Sequence, residues 1–300
     1  MNKISIDTAL VQELIATQFP QWAHLPIRPV DAGGWDNRTF HLGNAMSVRL
    51  PSAAAYAAKV PIEQYWLPKL APYLPLPIPT PVAMGKPSTT YPWHWSVYTW
   101  LNGAAASLER IDNMPQFATT LAHFLVALQH IDPTGGPAAG PHNFYRGGPL
   151  KTYDAETRQA ISALSNTIDA EIITAIWDAA VATSWQKTPV WVHGDVAPGN
   201  LLVEHGQLSA VIDFGGLGIG DPACDMAIAW TFFKKESREA FRAALHTNTD
   251  TWKRGRGWAL WKALIICAKQ ADTDASKIEL SQQVIDEIVA DCTRSPMHEF

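Results

Sequence analysis

Residues 191–225 read WVHGDVAPGNLLVEHGQLSAVIDFGGLGIGDPACD. The stretch sets His193, Asp195, Asn200, Asp213, Asp221 and Asp225 between short apolar segments. Residues 190–192 have the β-branched and aromatic character of a strand end. Residues 201–203 and 208–212 are two further apolar runs, joined by Glu204-His205-Gly206-Gln207, a pattern that predicts a β-hairpin. Such a hairpin holds the loop bearing Asp195 and Asn200 beside the loop that starts at Asp213. Two carboxylates and one amide carbonyl then meet in a small volume, and a divalent cation with hard oxygen ligands suits that volume.

Upstream, Asp7 can cap a first helix with Leu10, Leu14 and Ile15 on one face, ended by Pro20. Residues 27–30, 38–42 and 45–50 read as a three-stranded meander. Its first connection carries Gly33 and Gly34, and its second the tight-turn pair Gly43-Asn44. Within the third strand Met46, Val48 and Leu50 face one way and Arg49 the other. A helix over 59–70 follows, with Glu63 in its first turn and Pro68 predicting a kink or an early end. A proline-dense connector over 72–81 leads to an aromatic β-prone run at 93–99. Trp100, Leu101, Asn102 and Gly103 close it, and a lobe boundary is expected there. Residues 1–101 form one lobe, 102–300 the other, and a hinge lies near 98–103.

Beyond the boundary helical spacing dominates: 113–130 capped by Asn113, then 154–164 and 170–183. Asp221-Pro222 reads as an N-cap followed by proline at the first helical position. Residues 238–290 are expected to be helical, with a break at Arg254-Gly255-Arg256-Gly257. Strands first and helices later imply an α+β architecture in two unequal lobes with a cleft between them.

Composition narrows the function. The chain has 300 residues, 47% hydrophobic, so a large core can be buried and wholesale disorder is excluded. Charged residues are only 17% and the net charge is −5, which leaves no basic stripe for nucleic acid. The three cysteines, Cys224, Cys267 and Cys292, form no Cys-x-x-Cys pair, so neither a disulfide framework nor a zinc site is expected. No apolar run is long enough to span a bilayer. The expectation is a cytoplasmic protein without a membrane partner.

Asp195 and Asn200 lie five residues apart, Asn200 and Asp213 thirteen, and Asp213 opens an Asp-Phe-Gly triplet. Protein kinases carry this order at nearly this spacing. Here Gly194 follows the histidine where protein kinases have arginine, and the downstream Gly220-Asp221-Pro222-x-x-Asp225 resembles the aminoglycoside phosphotransferase family. The resemblance covers most of the chain. It implies a bilobal protein-kinase-like fold, with a small β-rich N-lobe and a larger, mainly helical C-lobe. It implies transfer of the γ-phosphate of ATP or GTP to a hydroxyl of a small molecule, with an aminoglycoside-like acceptor favoured and a macrolide, choline or homoserine as alternatives.

Position by position, the resemblance implies that Asp195 orients or deprotonates the acceptor hydroxyl. Asn200 and Asp213 match the Mg2+ ligands. His193 props the catalytic loop, and Asp221 ties that loop to the following helix. Tyr98, Trp100 and Leu101 fall where the hinge meets the nucleotide base, and Gly33 and Gly34 where a glycine loop covers the phosphates. The family pattern asks for a strand lysine paired with a helix glutamate. The strand here offers Arg49 with Glu63 as partner, and Lys59 is a second basic candidate. Arginine keeps a permanent charge and can grip phosphate bidentately.

Duller readings accompany these. A loop aspartate is often a turn residue, Asp221 and Asp225 read well as structural, and a histidine such as His193 is commonly a satisfied core residue rather than a metal ligand. Trp252, Trp258 and Trp261 could line an acceptor pocket or simply join helices. The acidic Asp286, Glu287 and Asp291 are candidates for receiving a cationic acceptor. Two other function classes compete. One is a nucleotide-binding pseudokinase, motivated by Arg49 and the thin glycine loop. The other is a metal-dependent hydrolase using His193 and Asp195, for which His142-Asn143 offers no supporting ligand cluster.

Overall fold

A computed structural model describes residues 5–30, 36–269 and 274–294 of the chain. Helix α1 (Thr8–Gln18) starts where expected, with the Asp7 carboxylate accepting from the Leu10 N–H at 2.9 Å. Strands β1 (Ile27–Pro29), β2 (Asn37–Leu42) and β3 (Met46–Pro51) form the meander. The short α2 (Ala54–Ala57) and the longer α3 (Lys59–Leu70) follow, and then β4 (Pro81–Gly85) and β5 (Trp95–Thr99). All five strands join one antiparallel sheet in the order β1-β2-β3-β5-β4. Strand β4 starts at the last proline of the connector and extends into a stretch for which the sequence predicts no element. As the edge strand it tolerates Pro81 and leaves Val82 and Met84 exposed. The buried face of the sheet, with Phe40, Leu42, Val48, Leu50 and Val97, packs with Val11, Leu14 and Ile15 of α1 into the smaller of two hydrophobic cores.

Pro68 does not break α3, which runs unbroken to Leu70. The proline removes one hydrogen bond two residues from the natural end of the helix, where its effect is least. Leu67 and Leu70 belong to the larger core, so α3 bridges the sheet and the helical part.

That part comprises β6 (Ala104–Ala105), α4 (Met114–His130), α5 (Asp154–Ala163), α6 (Ala170–Val181), β7 (Val190–Val192), β8 (Leu201–Glu204), β9 (Gln207–Val211), β10 (Gly218–Gly220), α7 (Ile228–Thr231), α8 (Lys235–Leu245), α9 (Thr249–Ala268) and α10 (Ala275–Arg294). Strands β8 and β9 are the hairpin read from the sequence, with β6 on the open side of β8 and Glu204 opposite Gln207. The turn therefore reduces to His205-Gly206, both with positive φ, as a two-residue hairpin loop requires. β7 pairs instead with β10. Asn113 caps α4 by accepting from the Gln116 N–H.

The expected break at Arg254-Gly255-Arg256-Gly257 does not occur. These residues sit inside the continuous α9, the central helix of the larger core. Their glycines serve close packing: a β-carbon at Gly255 would stand 2.7 Å from that of Met226, and one at Gly257 2.8 Å from that of Ala180. The architecture is α+β, with an antiparallel sheet first and a mainly helical part after it. No helix among the described residues is long and apolar enough to cross a membrane.

Candidate active site

The loop after β7 carries three of the residues singled out above. His193 is fully buried, with its Nε2 3.0 Å from the Ile212 carbonyl and its Nδ1 3.2 Å from the Asp195 N–H. The backbone N–H must donate, so Nδ1 accepts, Nε2 carries the proton and the ring is neutral. Its face tilts against Phe214 at 4.6 Å between centroids. His193 thus ties two ends of the motif together and has neither nitrogen left for a metal. Asn200 Nδ2 donates to the backbone oxygen of Asp195 at 2.9 Å and to its carboxylate at 3.1 Å. Both amide hydrogens are thereby engaged, and the Asn200 carbonyl oxygen is turned to other use. Asp195 itself is exposed.

The carboxylate that fastens this loop is Asp225, not Asp221. Asp225 accepts from the His193 N–H at 2.8 Å and from the Gly194 N–H at 2.7 Å. Burial pushes its pKa up, and those two N–H bonds oppose it only in part. Asp221 faces away from the loop. It caps the turn Pro222–Ala227 through the Ala223 N–H and forms a buried bidentate pair with Arg254, at 2.6 and 3.3 Å.

Asp213 follows β9 in the left-handed conformation, φ 63° and ψ 69°, a region aspartate enters more readily than most residues. Its Oδ1 lies 2.9 Å from Arg49 Nη2, so the ion pair crosses from β3 to the Asp-Phe-Gly turn. Arg49 also stands 3.7 Å from Glu63 on α3. Burial alone raises the pKa of Asp213, but the charge and hydrogen bond of Arg49 more than offset it, leaving a net lowering. Burial dominates at Glu63 and raises it, with Arg49 and Tyr98 opposing only in part. Tyr98 does not take the expected place against a nucleotide base. It is buried, and its hydroxyl donates to Glu63 at 2.5 Å. It props the ion pair, because the alternation of β5 turns it inward. Trp100 and Leu101 lie on the connection after β5, with the Trp100 N–H bonded to the Ala45 carbonyl and its ring against His41. Gly33 and Gly34 lie outside the described residues.

Lys59 is the main residue that sequence reasoning undervalues. It is buried at the start of α3, pairs with Asp36 at 2.8 Å, and approaches Gly215 beside Asp213. Its ammonium also lies 5.0 Å from the Phe144 ring. Two cations thus face the Asp-Phe-Gly turn.

The phosphotransferase enzyme family model matches residues 27–258, well over half of the chain. The chain belongs to the phosphotransferase enzyme family. Its fold is the bilobal protein-kinase-like one, as solved structures show. The GDP complex of wild-type aminoglycoside 2'-phosphotransferase-IIIa superposes with a TM-score of 0.70 at 17% identity, covering 95% of this chain and 99% of the other. The streptomycin-ATP-APH(2'')-IIa ternary complex gives 0.61 at 16%, covering 94% and 97%. Macrolide 2'-phosphotransferase MphH from Brachybacterium faecium, as apoenzyme, gives 0.58 at 20%, covering 92% and 98%. No curated protein sequence matches the chain significantly. By family it is a phosphotransferase.

In this phosphotransferase no group of three or more His, Cys, Asp or Glu among the described residues could hold a metal ion. A kinase-type magnesium does not need one, since protein oxygens supply few of its ligands and phosphates the rest. The Asn200 carbonyl oxygen and the Asp213 oxygen not facing Arg49 are the hard donors that fit it. A surface cavity of about 660 Å³ lies elsewhere, between α3 and α4 and lined by Tyr65, Trp66, Lys69 and His130. It contains none of the candidate site residues.

Proposed function

We propose that this phosphotransferase moves the γ-phosphate of ATP or GTP to a hydroxyl of a small molecule, with Asp195 as the base. The observation that carries this reading is the 2.9 Å approach of Arg49 to Asp213. It brings the phosphate-binding cation of the sheet to the candidate magnesium ligand, on the same rim as Asp195 and Asn200. Residues 1–101 then form the nucleotide-binding lobe, 102–300 the catalytic and acceptor-binding lobe, and 98–103 the hinge where Trp100 and Leu101 meet the base. The solved relatives bind GDP in one case and ATP in another, so either nucleotide is a fit donor.

Phosphoryl transfer asks for positioning, one base and charge stabilisation rather than covalent help. Asp195 takes the proton of the acceptor hydroxyl as its oxygen bonds to Pγ. The bond from Pγ to the bridging oxygen breaks, and the nucleoside diphosphate leaves with the electron pair. Asn200, through its bonds to Asp195, holds the carboxylate at one orientation. Arg49, braced by Glu63 and Tyr98, and Lys59, braced by Asp36, face the transferring phosphate with fixed positive charge. Magnesium, held by Asn200 and Asp213, would neutralise phosphate charge. The compartment consistent with a nucleotide donor and free thiols is the cytoplasm. One solved relative is bound to streptomycin and another is named for macrolides, so aminoglycosides and macrolides are the first acceptors to screen.

The test is magnesium-dependent nucleotide consumption against a panel of aminoglycosides, macrolides and small alcohols. Asp213→Ala should weaken magnesium-nucleotide binding roughly ten- to hundredfold, the scale of one or two charge-assisted contacts. Unchanged binding by calorimetry would remove Asp213 from the metal site.

A further inference from the structure

The acceptor side of the cleft is built from residues that the transfer chemistry does not use. Residues 143–147 pass directly beside the catalytic loop, so that a β-carbon at Gly194 would stand 3.1 Å from the β-carbon of Arg146. The fully buried Asn143 pins this segment, donating to the Arg146 carbonyl at 3.1 Å while its own carbonyl receives the Arg146 N–H at 3.1 Å. Phe144 and Tyr145 are both held in the left-handed region, each at φ 52°, a strained arrangement that persists only where the surroundings fix it. The Arg146 guanidinium lies over Trp258 at 5.0 Å and Trp261 at 5.3 Å. Tyr153 stacks on Trp261 at 3.9 Å. Lys262 is one helical turn beyond Trp258 on α9.

Neither cation has a carboxylate partner among the described residues, although both lie near Asp195. Partial desolvation by the packed surroundings lowers the pKa of Lys262, Arg146 lowers it further and Asp195 opposes, even though the side chain keeps contact with solvent. The nearby acids are occupied. Asp225 is spent on two backbone N–H groups, and Glu156 accepts from Trp261 Nε1 at 2.6 Å. On the C-terminal helix, Glu287 and Asp291 both pair with the buried Arg238. These are two of the carboxylates that the sequence offers to a cationic acceptor. Trp258 Nε1, under Arg146, is a buried donor without a partner. An aromatic floor, two unpaired cations and a spare N–H form a surface for a negative group, and one that repels ammonium groups.

We propose that Arg146 and Lys262 are the specificity-determining residues of this enzyme, and that its acceptor is a hydroxyl compound bearing a carboxylate or phosphate rather than a polycationic aminoglycoside. The proposal rests on the phosphotransfer reading above.

Its test uses matched probes: sorbitol as a neutral polyol, gluconate and glycerol 3-phosphate as anionic hydroxyl compounds, and kanamycin as a polycation. kcat/KM is measured with magnesium-ATP and magnesium-GTP. Equilibrium binding to enzyme loaded with a non-hydrolysable nucleotide is followed by tryptophan fluorescence. The anions should exceed sorbitol and kanamycin by about tenfold or more, and Lys262→Glu, at an exposed helix position, should remove that preference, as expected for one charge contact. Arg146→Lys keeps the charge and should retain part of the preference, while Arg146→Gln should not. Higher kcat/KM or tighter binding for kanamycin than for the anions, or an anion preference untouched by Lys262→Glu, overturns the proposal. If no probe is phosphorylated, binding still decides: preference for the anions supports the charge assignment while the transfer reading falls, and absence of preference overturns it.

Discussion

On one wall of the cleft, the loop from His193 to Asn200 is fixed through its backbone. Asp225 receives two of its N–H groups, and His193 joins the Asp195 N–H to the Ile212 carbonyl. The Asp195 side chain stays exposed, and among the described residues its side-chain hydrogen bond is from Asn200. On the facing wall the arrangement is reversed. Arg49, Glu63, Tyr98 and Lys59 are buried, or nearly so, and hold one another through side chains. The proposed base sits on a rigid frame with a free head, so it can meet a hydroxyl without breaking anything. The wall proposed to bind phosphate is a web of charges in which each group sets the state of its neighbours. Substitutions on the first wall should therefore act singly, and those on the second should be shared out among partners.

Asp195→Asn gives the sharpest separation between the walls. It should lower turnover by roughly 10²–10⁴-fold, the usual weight of a general base, with nucleotide affinity unchanged in a binding titration. A variant that keeps wild-type turnover would remove Asp195 from its role. Asp225→Ala should break the frame rather than the chemistry. It strands two buried N–H groups at about 1–3 kcal/mol each, read by urea unfolding, whereas Asp225→Asn retains one acceptor and should lose less. Arg49→Lys tests the web. Because Glu63 and Asp213 still receive a cation, nucleotide binding should weaken by less than about tenfold, and a larger loss would show that the forked guanidinium is itself required.

Glu63→Gln has the smallest expected effect, and it depends on pH. Burial holds the pKa of Glu63 above the ordinary carboxylate value in the folded protein. The folded state therefore binds that proton more tightly than the unfolded chain. The associated stability is complete below the ordinary value and fades as pH rises through the raised one. Unfolding free energies of variant and wild type, compared across that window, should shift progressively in favour of the variant, whose amide stays neutral. A flat difference would mean that Arg49 cancels the burial.

The same contrast explains what can be read from the sequence. His193, Asp195, Asn200 and Asp213 occupy one contiguous stretch with short connections, so spacing alone nearly fixes their geometry. Arg49 and Glu63 are legible because strand alternation and a helix start point them to the cleft. The exchange of roles between Asp221 and Asp225 is not. The two lie four residues apart on a turn that proves to be 3-10 rather than α, and the pitch decides which of them reaches the loop. Lys59 is easily undervalued because burial of an ammonium depends on Asp36 and Phe144, both distant in the chain. The glycines of α9 read as a break because their reason, the nearness of Met226, Leu150 and Ala180, exists only in three dimensions. Strand β4 is hidden by prolines that only an edge position tolerates.

The salt bridge between Arg49 and Asp213 has a consequence for how the protein rests between turnovers. Asp213 carries an internal counter-ion, so its own charge is compensated within the protein. On the proposed reading, loading the donor would be an exchange: the phosphates would draw the guanidinium away from Asp213, and magnesium, held on the other Asp213 oxygen, would compensate the carboxylate in its place. Affinity for the loaded donor would then be the difference between those two sets of contacts, and neither metal nor nucleotide alone would complete the swap. The same bridge that spares the resting enzyme a buried lone charge would make the two halves of the proposed donor bind best together.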